Sequence, residues 1–342
     1  MKAIVYDSPG RLRVDERREP EIQDGDVLVR VAYAGICGTD LSIWAGGLSR
    51  VRPPVVLGHE CVGLVEAISG GGADCAPGDA VAVEPLLPCG ACLACRSGHY
   101  HVCRRLRVIG VDVDDGMARV MRAPIERVHR LPSGLPLEVA ALTEPLAVAV
   151  HMVGRAAPSV GDIVLVLGAG PVGLLVGLVA RATGAGRVAI TELNDYRARL
   201  ARAYGFDVLR PDRDDVEDTV LDWTDGEGAD VTFELTGSAG ALAQVAALTR
   251  VRGRILLGGI AKGPAALDVQ AITLKEQHLL GSRVYTSRDF ARAIDLLARD
   301  RIDVRPLISA IVPLMAAIDD GFAPLKSGAD LMKVLVRPED GD

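Results

Sequence analysis

The segment Val164-Leu165-Val166-Leu167-Gly168-Ala169-Gly170-Pro171-Val172-Gly173 constrains this chain more than any other. An apolar run of strand length ends in a glycine turn and continues into an apolar stretch of helical length, which the spacing carries to about Thr183. Gly168 permits the tight turn, Gly170 lets the backbone approach a pyrophosphate, and Gly173 lets the helix pack closely on the strand. A glycine triplet alone says little. Here a second apolar strand follows at 188–191 and ends on an acid, Glu192, 19 residues beyond Gly173. A carboxylate at that point accepts hydrogen bonds from both adenosine ribose hydroxyls and repels a 2′-phosphate, so NAD is expected over NADP. Arg197 could reach the same ribose and keeps NADP open. Thr236, Gly237, Gly258 and Gly259 close later strands at the edge where open α/β sheets bind ligands, and join Pro171 and Val172 as expected cofactor neighbours.

Around this turn the second half alternates apolar strands, expected at 163–167, 188–191, 231–235 and 255–257, with helix-length segments. That pattern predicts a doubly wound parallel sheet covered on both faces. The first half reads differently, as short β segments at 27–32, 61–67, 80–84 and 123–131 punctuated by Gly and Pro. An amphipathic helix is expected at 288–299 and a return to β at 333–336. The length of 342 residues suits about two domains. The expected division is a mostly-β domain over 1–150, completed by 287–342, and a dinucleotide-binding domain over 151–286. Formal charge −7 lacks the basic face that nucleic acid requires. No apolar run approaches a membrane span, and Asp7 and Pro9 break any signal-like core, so a cytoplasmic protein is expected.

Four of the seven cysteines, Cys89, Cys92, Cys95 and Cys103, lie in one short stretch. Such clustering in a cytosolic chain suggests metal thiolates rather than disulfides. Four close, soft ligands suit a closed tetrahedral zinc of structural type; an iron–sulfur cluster uses the same donors and remains the rival. A second, dispersed constellation comprises Gly35-Ile36-Cys37-Gly38-Thr39-Asp40, Gly58-His59-Glu60 and Glu144-Pro145-Leu146-Ala147. Its mixed thiolate, imidazole and carboxylate donors would leave one coordination position open.

With these motifs in this order, essentially the whole chain resembles the zinc-containing medium-chain dehydrogenases, in particular the sorbitol, polyol, butanediol and threonine dehydrogenase branch. The resemblance implies a GroES-like catalytic domain interrupted by a Rossmann domain, an α/β protein overall, and a homodimer or homotetramer. It implies one catalytic zinc held by Cys37 and His59, with Glu60 and Glu144 sharing the carboxylate role, one directly and one through water, and one structural zinc. Glu144 stands where simple alcohol dehydrogenases carry cysteine, which points to the polyol branch. Thr39 is then expected to bond the reacting oxygen and pass its proton to the nicotinamide ribose. Trp44, Glu84, Met117, Arg119 and Tyr285 are expected along the substrate cleft, and Arg119 or Arg283 as binders of a substrate carboxylate. Two features depart from the family: Ser42 replaces a proton-relaying histidine, and Met117-Ala118-Arg119-Val120 replaces a more usual aromatic and acidic segment. The expected activity is hydride transfer between NAD and a secondary hydroxyl of a polyol, sugar acid or related alcohol. Threonine or amino-alcohol and butanediol dehydrogenation are the alternatives. A zinc-free quinone reductase has no use for Cys37, His59 and Glu144 together, and a zinc-ribbon binding module accounts for the four-cysteine loop alone.

Overall fold

A computed structural model describes residues 1–72 and 74–338. They form two compact units, Met1–Ala147 with Thr286–Asp342, and Val148–Tyr285. The first break falls inside the helix Thr143–Ala156 rather than at its end.

In the first unit, strands Val128–Arg130, Ala80–Val83, Glu60–Ile68, Asp26–Gly35, Lys333–Arg337 and Ile308–Pro313 lie side by side in that order, and Val120–Pro124 also pairs with Asp26–Gly35. The expected strand over 123–131 is two strands. Pro124 has no N–H to continue the ladder, and a 3-10 turn, Ile125–Arg127, separates them. An N-terminal hairpin, Lys2–Ser8 with Arg11–Glu16, joins Val55–Val56 in a second sheet. The decisive pairing is long-range: Lys333–Arg337 runs antiparallel to the end of Asp26–Gly35, with Leu335 opposite Gly35. Val334, Leu335 and Val336 are fully buried there, so apolar burial drives the last described strand into the sheet that holds Asp26–Gly35.

In the second unit six parallel strands stand in the order Asp207–Leu209, Arg187–Thr191, Ile163–Leu167, Ala229–Glu234, Thr249–Leu257, His278–Gly281. Their chain order is 3-2-1-4-5-6, the Rossmann arrangement. The two edge strands were not legible in the sequence because they are short and partly polar. Ile163–Leu167 is a nearly continuous buried apolar run, and the other three central strands carry shorter, mostly apolar stretches, 188–190, 231–233 and 255–257. Among the described residues no helix is long and apolar enough to cross a membrane.

Candidate metal and cofactor sites

Strands Asp26–Gly35 and Glu60–Ile68 are antiparallel with Gly35 directly opposite Glu60. Cys37 lies two residues past one strand and His59 one residue before the other, so the pairing brings residues distant in sequence to one end of the sheet. Cys37 Sγ, a ring nitrogen of His59 and a carboxylate oxygen of Glu60 lie within 4.8 Å of one another. The glycine at 35 is a steric requirement: a Cβ there would stand 2.0 Å from Glu60 Oε2.

Two further residues hold these donors, and neither was assigned a role from the sequence. Asp40, fully buried in the first turn of helix Gly38–Trp44, accepts the Cys37 N–H at 2.9 Å and sets its other oxygen 3.4 Å from His59 Nδ1. A buried carboxylate behind the ring fixes imidazole orientation and raises its basicity. Lys333, 2% exposed, places Nζ 2.7 Å from both Glu60 oxygens and 3.1 Å from the Ile36 carbonyl. Burial alone would lower the Lys333 pKa, but Glu60, Cys37 and Glu144 together raise it, so it stands as an ammonium. Burial likewise acts to lower His59, and Asp40 and Cys37 outweigh it, raising the imidazole well above its usual range. Crowded anionic donors hold a proton on His59; a divalent cation among them would displace it. The donor set thus fits a zinc ion. Glu144, 8% exposed at the start of its helix, is outside the trio within 4.8 Å.

Cys89, Cys92, Cys95 and Cys103 converge more closely. Sulfur separations are 3.5 Å for Cys92–Cys95, 3.8 Å for Cys92–Cys103 and 4.0 Å for Cys89–Cys95. Zinc–sulfur bonds of ~2.3 Å in a tetrahedron set edges of about 3.8 Å, so the lobe fits one ion and leaves no room for a cluster's own sulfides. The same distances are far too long for disulfides. Backbone N–H groups of Cys89 and Arg105 each donate to Cys103 Sγ at 3.3 Å, orienting it. N–H donation from Ala91 and Cys92 draws the Cys89 thiol down to about 5, while burial and neighbouring sulfurs push Cys95 up to about 12. Four thiolates so close would share the space stably only around a cation.

In the second unit Gly168 takes φ +104, and a Cβ on Gly173 would meet the Gly168 carbonyl oxygen at 1.9 Å. Gly170 caps helix Pro171–Ala182, with nothing among the described residues within 4 Å of its Cβ position, and Pro171 opens the helix. This is an open anion cradle at a helix N-terminus. Glu192 sits beside it, accepting N–H bonds from Ala169, Leu193 and Asn194 at 2.8 to 2.9 Å. Asn194 caps the next helix by accepting from Arg197 N, which places Arg197 one turn from Glu192.

The expected substrate contacts fare differently. Glu84 is fully buried and is consumed by Arg127 Nη1 at 2.7 Å, Ser287 Oγ at 2.6 Å and His129 Nε2 at 3.1 Å, so it faces no cleft. Met117 and Tyr285 have no exposed surface and are core residues, since a group that water cannot touch offers no face to a substrate. Arg119 pairs with Glu19 at the surface. Trp44 remains part-exposed, edge-on to Phe322 with Lys326 Nζ 3.8 Å from its ring centre. Thr39 is part-exposed in the first turn after Cys37.

Comparison with known proteins agrees with this geometry. The family model described as "Alcohol dehydrogenase GroES-like domain" matches residues 23–133, and "Zinc-binding dehydrogenase" matches 171–299. The chain is 38% identical to 2-dehydro-3-deoxy-L-galactonate 5-dehydrogenase of Pseudoalteromonas atlantica over 92% of both chains. It belongs to the zinc-containing medium-chain dehydrogenases. Within this family it is also similar to L-threonine 3-dehydrogenase of Pyrococcus horikoshii, 41% identical over 78% of each chain. A zinc-binding dehydrogenase of Sinorhizobium meliloti 1021, solved bound to NADP, superposes with a TM-score of 0.93 at 31% identity, covering 98% of this chain and 99% of that one. As a medium-chain dehydrogenase the chain is an oxidoreductase acting on CH–OH donors with zinc and a nicotinamide cofactor.

Proposed function

We propose that this dehydrogenase oxidises a secondary hydroxyl of a sugar acid or polyol, with NAD as hydride acceptor, one zinc at Cys37 and His59 and a second in the four-cysteine lobe. The observation that carries the reading is the convergence of Cys37, His59 and Glu60 within 4.8 Å, backed by Asp40 and Lys333. When bound, zinc supplies Lewis-acid polarisation of the hydroxyl and the nicotinamide accepts the hydride. The chain's own residues do the rest. Asp40, with one oxygen 3.4 Å from His59 Nδ1, would steady the imidazole that offers a ring nitrogen to the metal. Lys333 holds both Glu60 oxygens at 2.7 Å, so Glu60 and Glu144 share the carboxylate role, one of them facing the metal directly and the other through water. Thr39, two residues past Cys37, accepts the substrate's hydroxyl proton in a hydrogen bond and relays it outward.

The sugar-acid assignment leans on the relative of Pseudoalteromonas atlantica, whose named substrate is a sugar acid. Threonine is the second reading, favoured by the Pyrococcus horikoshii relative. NAD is favoured by the Glu192 carboxylate already held beside the glycine turn, where a 2′-phosphate would meet like charge. The test is a rate screen of zinc-replete protein against sugar acids, polyols, vicinal diols and threonine, with NAD and NADP in parallel. A sugar acid or polyol is expected to give the highest kcat/KM, with NAD. A higher value for threonine selects the second reading, and no turnover of any alcohol refutes both.

A further inference from the structure

Glu234 is fully buried, and neither the chemistry above nor any metal site uses it. It ends strand Ala229–Glu234 in register with Leu167 on one side and Leu257 on the other. Those neighbours are followed directly by Gly168 and Gly258, so Glu234 stands between the dinucleotide turn and the turn that closes the next strand. Its Oε1 accepts three bonds from its own turn: Thr236 N at 2.8 Å, Thr236 Oγ1 at 2.5 Å and Gly237 N at 2.9 Å. Its main-chain carbonyl accepts Gly258 N at 2.9 Å and Gly259 N at 2.8 Å. One residue therefore gathers the donors of two successive turns.

The bond to Thr236 Oγ1 also sets which way that side chain faces. With the hydroxyl drawn to Glu234, the methyl Cγ2 lies 2.9 Å from the point where a Cβ on Gly168 would stand, so it packs against the first glycine of the turn. Among the described residues Glu234 Oε2 is buried without a hydrogen-bond partner, and it stands 2.7 Å from where a Gly259 Cβ would be, so only glycine fits at that point of the second turn. A buried carboxylate is costly unless its surroundings use it. Here the use is geometric: the Thr236–Gly237 turn is bonded to the side chain, the Gly258–Gly259 turn to the carbonyl, and Gly168 lies against the Thr236 methyl.

We infer that Glu234 is a positioning residue for the nicotinamide dinucleotide, fixing the turns at the carboxyl edge of the parallel sheet in the arrangement the cofactor binds. The inference rests on the reading of the glycine turn as the cofactor site. It predicts a defect in cofactor affinity rather than in chemistry. In Glu234→Ala the three donors of Thr236 and Gly237 lose their acceptor. NADH should then bind about tenfold more weakly or worse by fluorescence titration, while kcat at saturating cofactor stays within about threefold and zinc content is unchanged. Glu234→Gln keeps an oxygen for the same three donors and puts its amide at the unpartnered position, so it should restore affinity to within about threefold of wild type. Should Glu234→Ala fail to fold, Glu234→Asp decides. It keeps the charge but, one methylene shorter, withdraws the acceptor from the Thr236 and Gly237 donors, and should weaken NADH binding severalfold. Wild-type NADH affinity in the folded Ala variant, or in Glu234→Asp where Ala does not fold, overturns the inference, as does a Gln variant as weak as Ala. Wild-type protein binding neither NADH nor NADPH would instead sink the cofactor reading itself.

Discussion

Gly35→Ala is the smallest change that tests the construction of the catalytic cluster. Gly35 has no left-handed φ, so alanine fits the backbone and should gain ~0.5 to 1 kcal/mol of chain entropy over glycine. Against this, the new methyl would stand 2.0 Å from Glu60 Oε2, 3.1 Å from Cδ and 3.2 Å from Cβ. A free glutamate would swing aside cheaply. This one is 1% exposed and held at both oxygens by Lys333, itself 2% exposed, so moving it separates a buried ion pair. Breaking such a pair costs about 3 to 5 kcal/mol, which leaves a net destabilisation of about 2 to 4 kcal/mol. At ~2 to 4 °C per kcal/mol for a unit of 150 to 250 residues, the melting temperature should fall by about 5 to 15 °C. Metal analysis should show loss of zinc from the Cys37 site with the four-cysteine lobe still loaded. The double variant Gly35→Ala/Glu60→Asp, one methylene shorter at 60, should recover part of the loss. If Gly35→Ala melts within 2 °C of wild type, roughly 0.5 to 1 kcal/mol, and keeps its full zinc complement, the argument that register and Lys333 pin Glu60 fails.

Three other outcomes follow from the geometry. Cys92→Ser should remove one zinc equivalent and lower thermal stability without changing NADH affinity, measured by metal analysis and fluorescence titration; a full zinc complement would refute the lobe as a metal site. Burial, reinforced by Asp114, raises the Asp115 carboxyl to about 7. A raised acid stabilises the fold below its unfolded value of about 4, and that contribution is lost as pH climbs through 7. Asp115→Asn should therefore flatten stability against pH between about 4 and 7 and stabilise by on the order of 1 to 3 kcal/mol above it, read by urea denaturation. Glu192→Ala should raise KM for NAD by about tenfold and improve NADP relative to NAD; an unchanged NAD/NADP ratio would remove Glu192 from the ribose site.

What the sequence determined by itself are the features carried by short-range spacing. Four thiols within fifteen positions converge whatever the rest of the fold does, because the loop between them is too short to hold them apart. The glycine turn is likewise local: strand, turn and helix follow one another directly, Gly168 is required by its positive φ, and Gly173 by the Gly168 carbonyl five residues before it. The central parallel strands announced themselves as apolar runs because both their faces are covered.

Only the tertiary structure decided the residues that act through distant partners. Asp40 follows Cys37 by three residues in the chain, yet its role appears only when sheet pairing brings His59 Nδ1 to 3.4 Å from it. Lys333 reads as an ordinary strand lysine until the last strand enters the first sheet and buries its ammonium on Glu60. Glu84 and Met117, expected at a cleft, are taken up by Arg127, His129 and Ser287 in one case and by the core in the other. A side chain's charge and size are written in the chain, but whether it meets solvent, a metal or an opposite charge depends on strand register between segments hundreds of residues apart, and that is set by cooperative burial rather than by any local spacing.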